Sequence, residues 1–504
     1  MAFQVILLSG MIWYCFLKWL KYYKVPDNFP PGPPSVPLLG VLPFMQGNLK
    51  DAMQRWRKEY GEVVGLHLGS ELTVVLSDFD EISNAFKDKR FTGRPKALTE
   101  TMTAFFASHP GEKGGGIVFS EGEQWSEQRR FALKTLRDFG FSKKAMEDVI
   151  LEEVFKMIQV LRADEDSMSL NQVLSVGVVN SLWTILTGQK LSHGDQTVMK
   201  IVTGTDDFIN NESMSGPLMM MPWLRFFPYI KEKFQASKEA PLSMRKLQNK
   251  MVAQHEEEQS GELDNNNGVR KESKDFIDVY LDKIKETRDR KSSFFGDQGR
   301  LNLQRSLTDI FGAGTSSGSS MLLFAFLYVI KYPKIQTKVQ DELSRIIGKN
   351  TVSLDDRSNM PYTDAVLHEV MRHSCLVYAV PHATTEDVSV QGFDLPKDTV
   401  VYANLWQVMH NTDYWQDPEI FRPERFLDRD SKFRRDERCI PFMLGKRFCI
   451  GQSLALQQLF LFFVTILQHF ELQAPGGAEA VSIEPIVGFV HQCPKYSVKL
   501  VGRM

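Results

Sequence analysis

Phe442-Met443-Leu444-Gly445-Lys446-Arg447-Phe448-Cys449-Ile450-Gly451 places one cysteine among glycines and cations. A thiol acts as a metal ligand or nucleophile only as its thiolate, so something must favour the anion. No histidine lies close in sequence to serve as base; Lys446 and Arg447 supply the neighbouring positive charge. Gly445 and Gly451 let the backbone approach a flat ligand and aim amide N–H groups at the sulfur. The apolar run from Ser453 to Phe470 follows, which puts Cys449 near the N-terminus of a helix, where the dipole favours a negative group. A lone thiolate with a cation beside it at a helix start is the donor set of one axial haem ligand. A buried structural thiol is the plainer alternative.

The same ten residues read Phe-x-x-Gly-x-Arg-x-Cys-x-Gly, which resembles the haem-binding signature of the cytochrome P450 superfamily. Other stretches resemble it too, nearly end to end, and their detail is similar to the animal microsomal family-two-like clan. Trp125 and Arg129, one helical turn apart, look like the pair that reaches a haem propionate, an indole N–H beside a guanidinium fork. Arg94 and His382 fall where the resemblance implies further propionate partners, and Arg447 belongs to the cysteine motif itself. Gly312-Ala313-Gly314-Thr315-Ser316-Ser317-Gly318-Ser319-Ser320 resembles the oxygen-binding groove, with a departure: Ser316 stands at the usual acid and Ser317 at the usual threonine. Ser317 keeps a hydroxyl able to donate a proton, whereas Ser316 cannot act as a carboxylate relay. Glu369 and Arg372, with Arg425 downstream, resemble a buried Glu-Arg-Arg cluster that locks the loop before the cysteine.

These elements need a large scaffold. The 504 residues are 43% hydrophobic, enough for a deep core, and the net charge of −2 gives no global basic signature for nucleic acid. Five scattered cysteines (Cys15, Cys375, Cys439, Cys449, Cys493) form no Cys-x-x-Cys pair, which argues against zinc and against a disulfide framework and reads as a reducing compartment. Residues 2–17 are almost wholly apolar, with Lys18, Lys21 and Lys24 behind them; this charge order reads as an uncleaved signal anchor with the bulk of the chain cytoplasmic. Pro30-Pro31-Gly32-Pro33-Pro34, continuing to Pro37 and Gly40, is a stiff extended spacer. A second apolar segment, Gly216 to Pro228, is too short and proline-broken to span and is expected to touch lipid.

The periodicity predicts a helix at Asp51–Tyr60, strands within Glu62–Ser77, helix from Ser120, and long helices over Ala145–Asn210 and Phe234–His255. His255–Lys274 reads as an exposed polar loop, and Leu301–Tyr332 as one long buried helix interrupted by the glycine-serine run. Late strands are expected at Tyr496–Val501. The resemblance implies a mainly α, large single-domain fold with a smaller β-rich subregion: residues 1–24 a signal-anchor helix, 25–40 a proline-rich hinge and 41–504 the haem-thiolate catalytic domain. It further implies haem b as cofactor and insertion of one oxygen atom from O2 into a lipophilic substrate. Electrons come from NADPH through NADPH–cytochrome P450 reductase, which docks on the basic face of Arg130, Lys134 and Arg137, and cytochrome b5 is a second possible donor. The place implied is the endoplasmic reticulum membrane. Two rival readings keep the fold: a reductase-independent lipid-hydroperoxide isomerase or dehydratase, and a non-catalytic haem sensor or carrier.

Overall fold

The computed structural model describes residues 10, 13, 25–109, 111–112, 114–139, 144–163, 170–191, 204, 208, 216–265 and 275–503. The anchor expected over residues 1–24 therefore lies outside the described residues, but for Gly10 and Trp13. The helices that position the site are α1 (Leu49–Tyr60), α2 (Lys96–Phe106), α3 (Gly122–Asp138), α4 (Lys144–Ala163), α5 (Leu170–Thr187), α6 (Glu239–Asn265), α7 (Phe276–Glu286), α8 (Gly296–Lys331), α9 (Pro361–Ser374) and α10 (Gln452–His469). The strands are β1 (Val63–Leu68), β2 (Glu71–Leu76), β3 (Ala379–Ala383), β4 (Val388–Val390), β5 (Phe393–Leu395), β6 (Val400–Asn404), β7 (Phe470–Gln473) and β8 (Lys499–Gly502). A four-stranded sheet runs β1-β2-β6-β3, with β2 and β6 parallel, and two small two-stranded antiparallel sheets pair β4 with β5 and β7 with β8. The fold is mainly α with a β-rich side region, as the sequence implies.

One core lies between α4, α5, α8, α9 and α10, a second under the sheet around Val64, Val75 and Val401. In α10 every residue from Leu459 to Leu467 is buried, so this helix is apolar all round and sits at the centre of the first core. Each such side chain contributes roughly 1.5–3 kcal/mol relative to exposure. Helix α8 is the one helix among the described residues long and apolar enough to cross a membrane, but it is a core element, with 61% of its apolar window buried.

The expected interruption of α8 does not occur: the helix is continuous from Gly296 to Lys331. Two rows of small residues explain why. A Cβ on Gly314 would stand 2.6 Å from Leu182 Cδ2, and one on Gly318 2.9 Å from Val178 Cγ1, so these glycines permit a close crossing with α5. The propensity cost of about 1 kcal/mol per glycine is offset by that packing. Thr315, Ser317 and Ser319 donate back to the i−4 carbonyls at 2.8, 2.5 and 2.9 Å, which uses their hydroxyls without breaking the ladder.

The loop expected over His255–Lys274 is corrected as far as Asn265, where α6 still runs, and residues 266–274 lie outside the described residues. His255 is buried; its Nε2 lies 2.8 Å from Asp275 Oδ2 and its Nδ1 2.7 Å from the Met251 carbonyl. Both ring nitrogens thus face acceptors, which calls for the imidazolium. Burial opposes that charge, but the Asp275 hydrogen bond and charge overcome it and raise His255 from 6.5 to about 9. A folded value above the unfolded one gives stability that is complete below pH 6.5 and is lost as pH rises through about 9. We predict that the melting temperature of the wild type falls across that window. The variant His255→Gln should be less stable at neutral pH and lack that fall in a thermal scan.

Candidate haem site

The cysteine loop is built by close backbone contact. Gly445 has φ +81°, and a Cβ there would stand 1.9 Å from the Phe86 carbonyl oxygen, the same oxygen that accepts the Lys446 N–H at 3.0 Å. The Cys449 N–H donates to the Phe442 carbonyl at 3.0 Å, closing the turn around the thiol. Gly451 caps α10, and the N–H groups of Gly451 and Gln452 point at the sulfur, as the glycine spacing predicts. Cys449 keeps accessible surface, yet enough protein surrounds it that burial pushes its thiol above 9; the two N–H groups and the Arg129 charge pull the other way. The nearby cation is therefore Arg129, not Lys446 or Arg447: Lys446 is exposed, and Arg447 turns away from the sulfur.

Arg94, Arg129 and Arg447 converge from three parts of the chain. Arg94 Nε donates to the Val118 carbonyl at 2.7 Å and Nη1 to the Pro381 carbonyl at 3.0 Å. Arg447 Nε donates to Thr92 at 2.8 Å and Nη2 to Ser120 at 2.6 Å, both backbone carbonyls, and its guanidinium lies 4.2 Å over the Trp125 ring. Arg129 Nη2 donates to the Phe448 carbonyl at 2.6 Å. These partners are neutral, and the cations raise one another's cost. Burial, with Arg94 and Arg129 alongside, lowers Arg447 to about 7; burial lowers Arg94 and Arg129 to about 10 each. On β3, His382 is buried and packs at a tilt of 39° against Phe86, ring centroids 4.3 Å apart, and its Nδ1 has no hydrogen-bond partner among the described residues. Burial, then Arg94 and Arg447, push it well below 6.5.

Three desolvated guanidiniums with no carboxylate in ion-pair contact among the described residues, Asp309 and Glu121 acting only from farther off, and an orphaned imidazole nitrogen, are a receptor for a buried dianion. Such a dianion would draw His382 towards its charged form, in which Nδ1 is a donor. With a metal-directed sulfur next to them, the residues fit iron protoporphyrin: Cys449 for the iron, the arginines and His382 for the two propionates. The structure thus brings together Arg94, Trp125, Arg129, His382, Arg447 and Cys449.

Ser316 and Ser317 stand on α8. Ser316 is buried, and Ser317 is half-buried beside the exposed Ala313. A cleft of about 660 Å³ leads in from the surface past Thr103, Ala104, Phe226 and Phe234 to Arg94. A smaller one of about 200 Å³ is lined by Tyr378, Ala379, Val487 and Phe489 together with Met219 and Met220. Missed by the sequence reading were Asn302 and Asp309 of α8, which hold the loop at Gly116–Val118 by its amides. Nothing in the sequence marks these two out, since Asp297, Gln298, Arg300, Gln304, Arg305 and Thr308 share the first half of α8 with them.

This geometry defines a haem-thiolate protein with a lipophilic approach. Comparison with known proteins is in accord: a family model described as Cytochrome P450 matches residues 30–500. The chain is 32% identical over 506 residues to cytochrome P450 2B4 of Oryctolagus cuniculus, with 99% of each chain covered. It is 32% identical to cytochrome P450 2C25 of Mesocricetus auratus, with 98% of each covered. It is 33% identical to cytochrome P450 2C23 of Rattus norvegicus, covering 96% of this chain and 95% of that one. The chain belongs to the cytochrome P450 family and is a haem-thiolate monooxygenase.

Proposed function

We propose that this monooxygenase is anchored in the endoplasmic reticulum membrane with its catalytic domain on the cytoplasmic side. It takes electrons from NADPH through a flavoprotein reductase, with cytochrome b5 as an auxiliary donor, and oxygenates a lipophilic small molecule. The observation that carries the chemistry is the Cys449 sulfur under the N–H groups of Gly451 and Gln452, beside Arg129, which converges with Arg94 and Arg447. Haem with a thiolate ligand supplies activated oxygen for insertion into an apolar substrate. The chain's own residues do the rest. Arg94, Arg129, Arg447 and His382 would hold the carboxylates of the cofactor, and Trp125 supports Arg447. Phe119, Phe234 and Phe489, packed with Phe105, keep the substrate side dry.

Redox partners and lipid have surfaces to meet. Arg130, Lys134 and Arg137 are exposed along α3, a basic face suited to an acidic reductase. Trp223, Phe226 and Phe227 are exposed on the segment expected to touch lipid, Phe226 at 70%, and Tyr229 is exposed just beyond it. The test is a reduced, carbon-monoxide difference spectrum followed by turnover of a lipophilic panel, once with NADPH and reductase and once with a lipid hydroperoxide. Product from the first mixture is expected; product from the hydroperoxide alone overturns the reductase-dependent reading. If a carbonate wash of membranes releases the full-length protein, the anchor is wrong.

Ser317 is our proposed proton donor on the oxygen side, with Ser316 unable to replace a carboxylate. Its hydroxyl proton is already engaged by the Ala313 carbonyl at 2.5 Å, so donation needs a rotamer change. We predict that Ser317→Ala lowers product per NADPH about tenfold, the worth of one lost hydrogen bond of about 1.4 kcal/mol, and raises hydrogen peroxide release. Unchanged product and peroxide yields would remove Ser317 from the mechanism.

A further inference from the structure

Helix α8 governs the arginine cradle through a loop. Asn302 and Asp309 lie two turns apart, on one face. Asp309 Oδ2 accepts the N–H of Ile117 at 2.6 Å and of Val118 at 2.8 Å. Asn302 Oδ1 accepts the Gly116 N–H at 3.0 Å and Gln124 Nε2, from α3, at 2.8 Å. One helix thus holds three consecutive peptide N–H groups. The carbonyls of the same loop serve the arginines: Val118 accepts Arg94 Nε at 2.7 Å and Arg447 Nη1 at 3.5 Å, and Ser120 accepts Arg447 Nη2 at 2.6 Å. The Ser120 hydroxyl donates back to the Gly116 carbonyl at 2.5 Å, so the loop is one rigid unit.

The fit between loop and helix is tight. Gly116 has φ +81°, and a Cβ there would stand 2.4 Å from Asp309 Oδ2 and 3.0 Å from Arg305 Cβ. The carboxyl of Asp309 is raised to about 6 by burial, against the pull of the Val118 and Ile117 N–H groups and of Arg305 and Arg94. A buried carboxylate spent on backbone amides is costly, and its return is the placing of those amides.

We propose that Asp309, aided by Asn302, is a positioning residue for the arginine cradle: it sets where Arg94 and Arg447 stand by fixing the 116–120 loop between them and α8. The proposal rests on the reading of Arg94 and Arg447 as partners of the haem carboxylates.

The experiment is transfer of haem from the full-length holoprotein to excess apomyoglobin, read as a rate, with the reduction potential measured alongside. Asp309→Asn keeps the shape and one amide oxygen but removes the charge. Gly116→Ala moves the loop while leaving Asp309 and both arginines unchanged, and it carries the test if the first variant fails to fold. Loss of an outer-shell partner typically costs about 10–100-fold in affinity, so haem transfer should quicken about tenfold in each, with a shifted potential. In an Arg94→Ala background Asp309→Asn should add less than it does alone, since it acts through that arginine. Transfer within about twofold of the wild type in both variants, or costs that add in full, overturns the positioning role. A wild type that takes up no haem overturns the proposed function itself.

Discussion

Cys449→Ser should leave a folded chain that has lost the thiolate signature and its turnover. The substitution is nearly isosteric at a side chain with accessible surface, so no cavity term is created and stability should hold. The chemistry changes completely. In the structure the N–H groups of Gly451 and Gln452 and the Arg129 charge all favour an anion, but burial outweighs them and keeps the free thiol protonated. A metal ion completes the ionisation, since a coordinated thiol is deprotonated outright. Uptake of haem should therefore release a proton and strengthen as pH rises. A serine hydroxyl in the same place stays protonated and cannot push electron density as sulfur does. The loss of turnover should exceed the roughly 10–100-fold cost typical of outer-shell partners. The check is the reduced, carbon-monoxide difference spectrum beside product formation. A serine variant with the full thiolate band would mean that another group is the ligand.

How much of this was legible in the sequence differs by residue for physical reasons. Cys449, Arg447, Trp125 and Arg129 sit in short motifs whose spacing survives folding, and the fold brings Arg447 over the Trp125 ring and Arg129 to the Phe448 carbonyl beside Cys449. Lys446 was misread because charge alone does not give direction. The turn at Met443 (φ 60°) and Gly445 (φ 81°) sends Arg447 inwards and leaves Lys446 outside. The break expected in α8 followed from residue propensities, and a tertiary contact overrode them: the glycines fit Leu182 and Val178 of α5, which lie far away in sequence. His255 seemed part of a polar loop because its partner, Asp275, lies twenty residues on, across the start of another helix. Asp309 and Asn302 escaped notice because their partners are backbone amides, which leave no side-chain signature. Periodicity reports which face is buried; it does not report what a buried polar group holds.

Glu369→Ala should be the most damaging change outside the haem site. Glu369 and Arg372 have fully buried side chains. Arg372 Nε and Nη2 donate to the two carboxylate oxygens at 2.7 and 2.8 Å, and Arg425 Nε approaches Oε1 at 3.4 Å. The remaining donors of Arg372 reach the carbonyls of Met409 and Pro418, both at 2.8 Å, and the Arg422 N–H returns to Glu369 Oε1 at 2.9 Å. Arg425 adds the carbonyls of Trp415, Gln416 and Asp417. One carboxylate therefore fastens α9 to residues 409–425, the stretch that leads to the cysteine loop. Forming such a cluster gains little against its desolvation, but removing one partner strands two buried guanidiniums and costs about 3–5 kcal/mol. That is a large part of the roughly 5–15 kcal/mol that holds a native fold. Glu369→Gln should be nearly as harmful, because it keeps the shape and removes the charge. Glu369→Leu combined with Arg372→Met should lose less than the two single changes summed, since no unmatched charge remains between them. Denaturant midpoints and haem content per chain measure this. Were Glu369→Gln as stable as the wild type, hydrogen bonding without charge would suffice to hold the loop, and the electrostatic account of the cluster would fail.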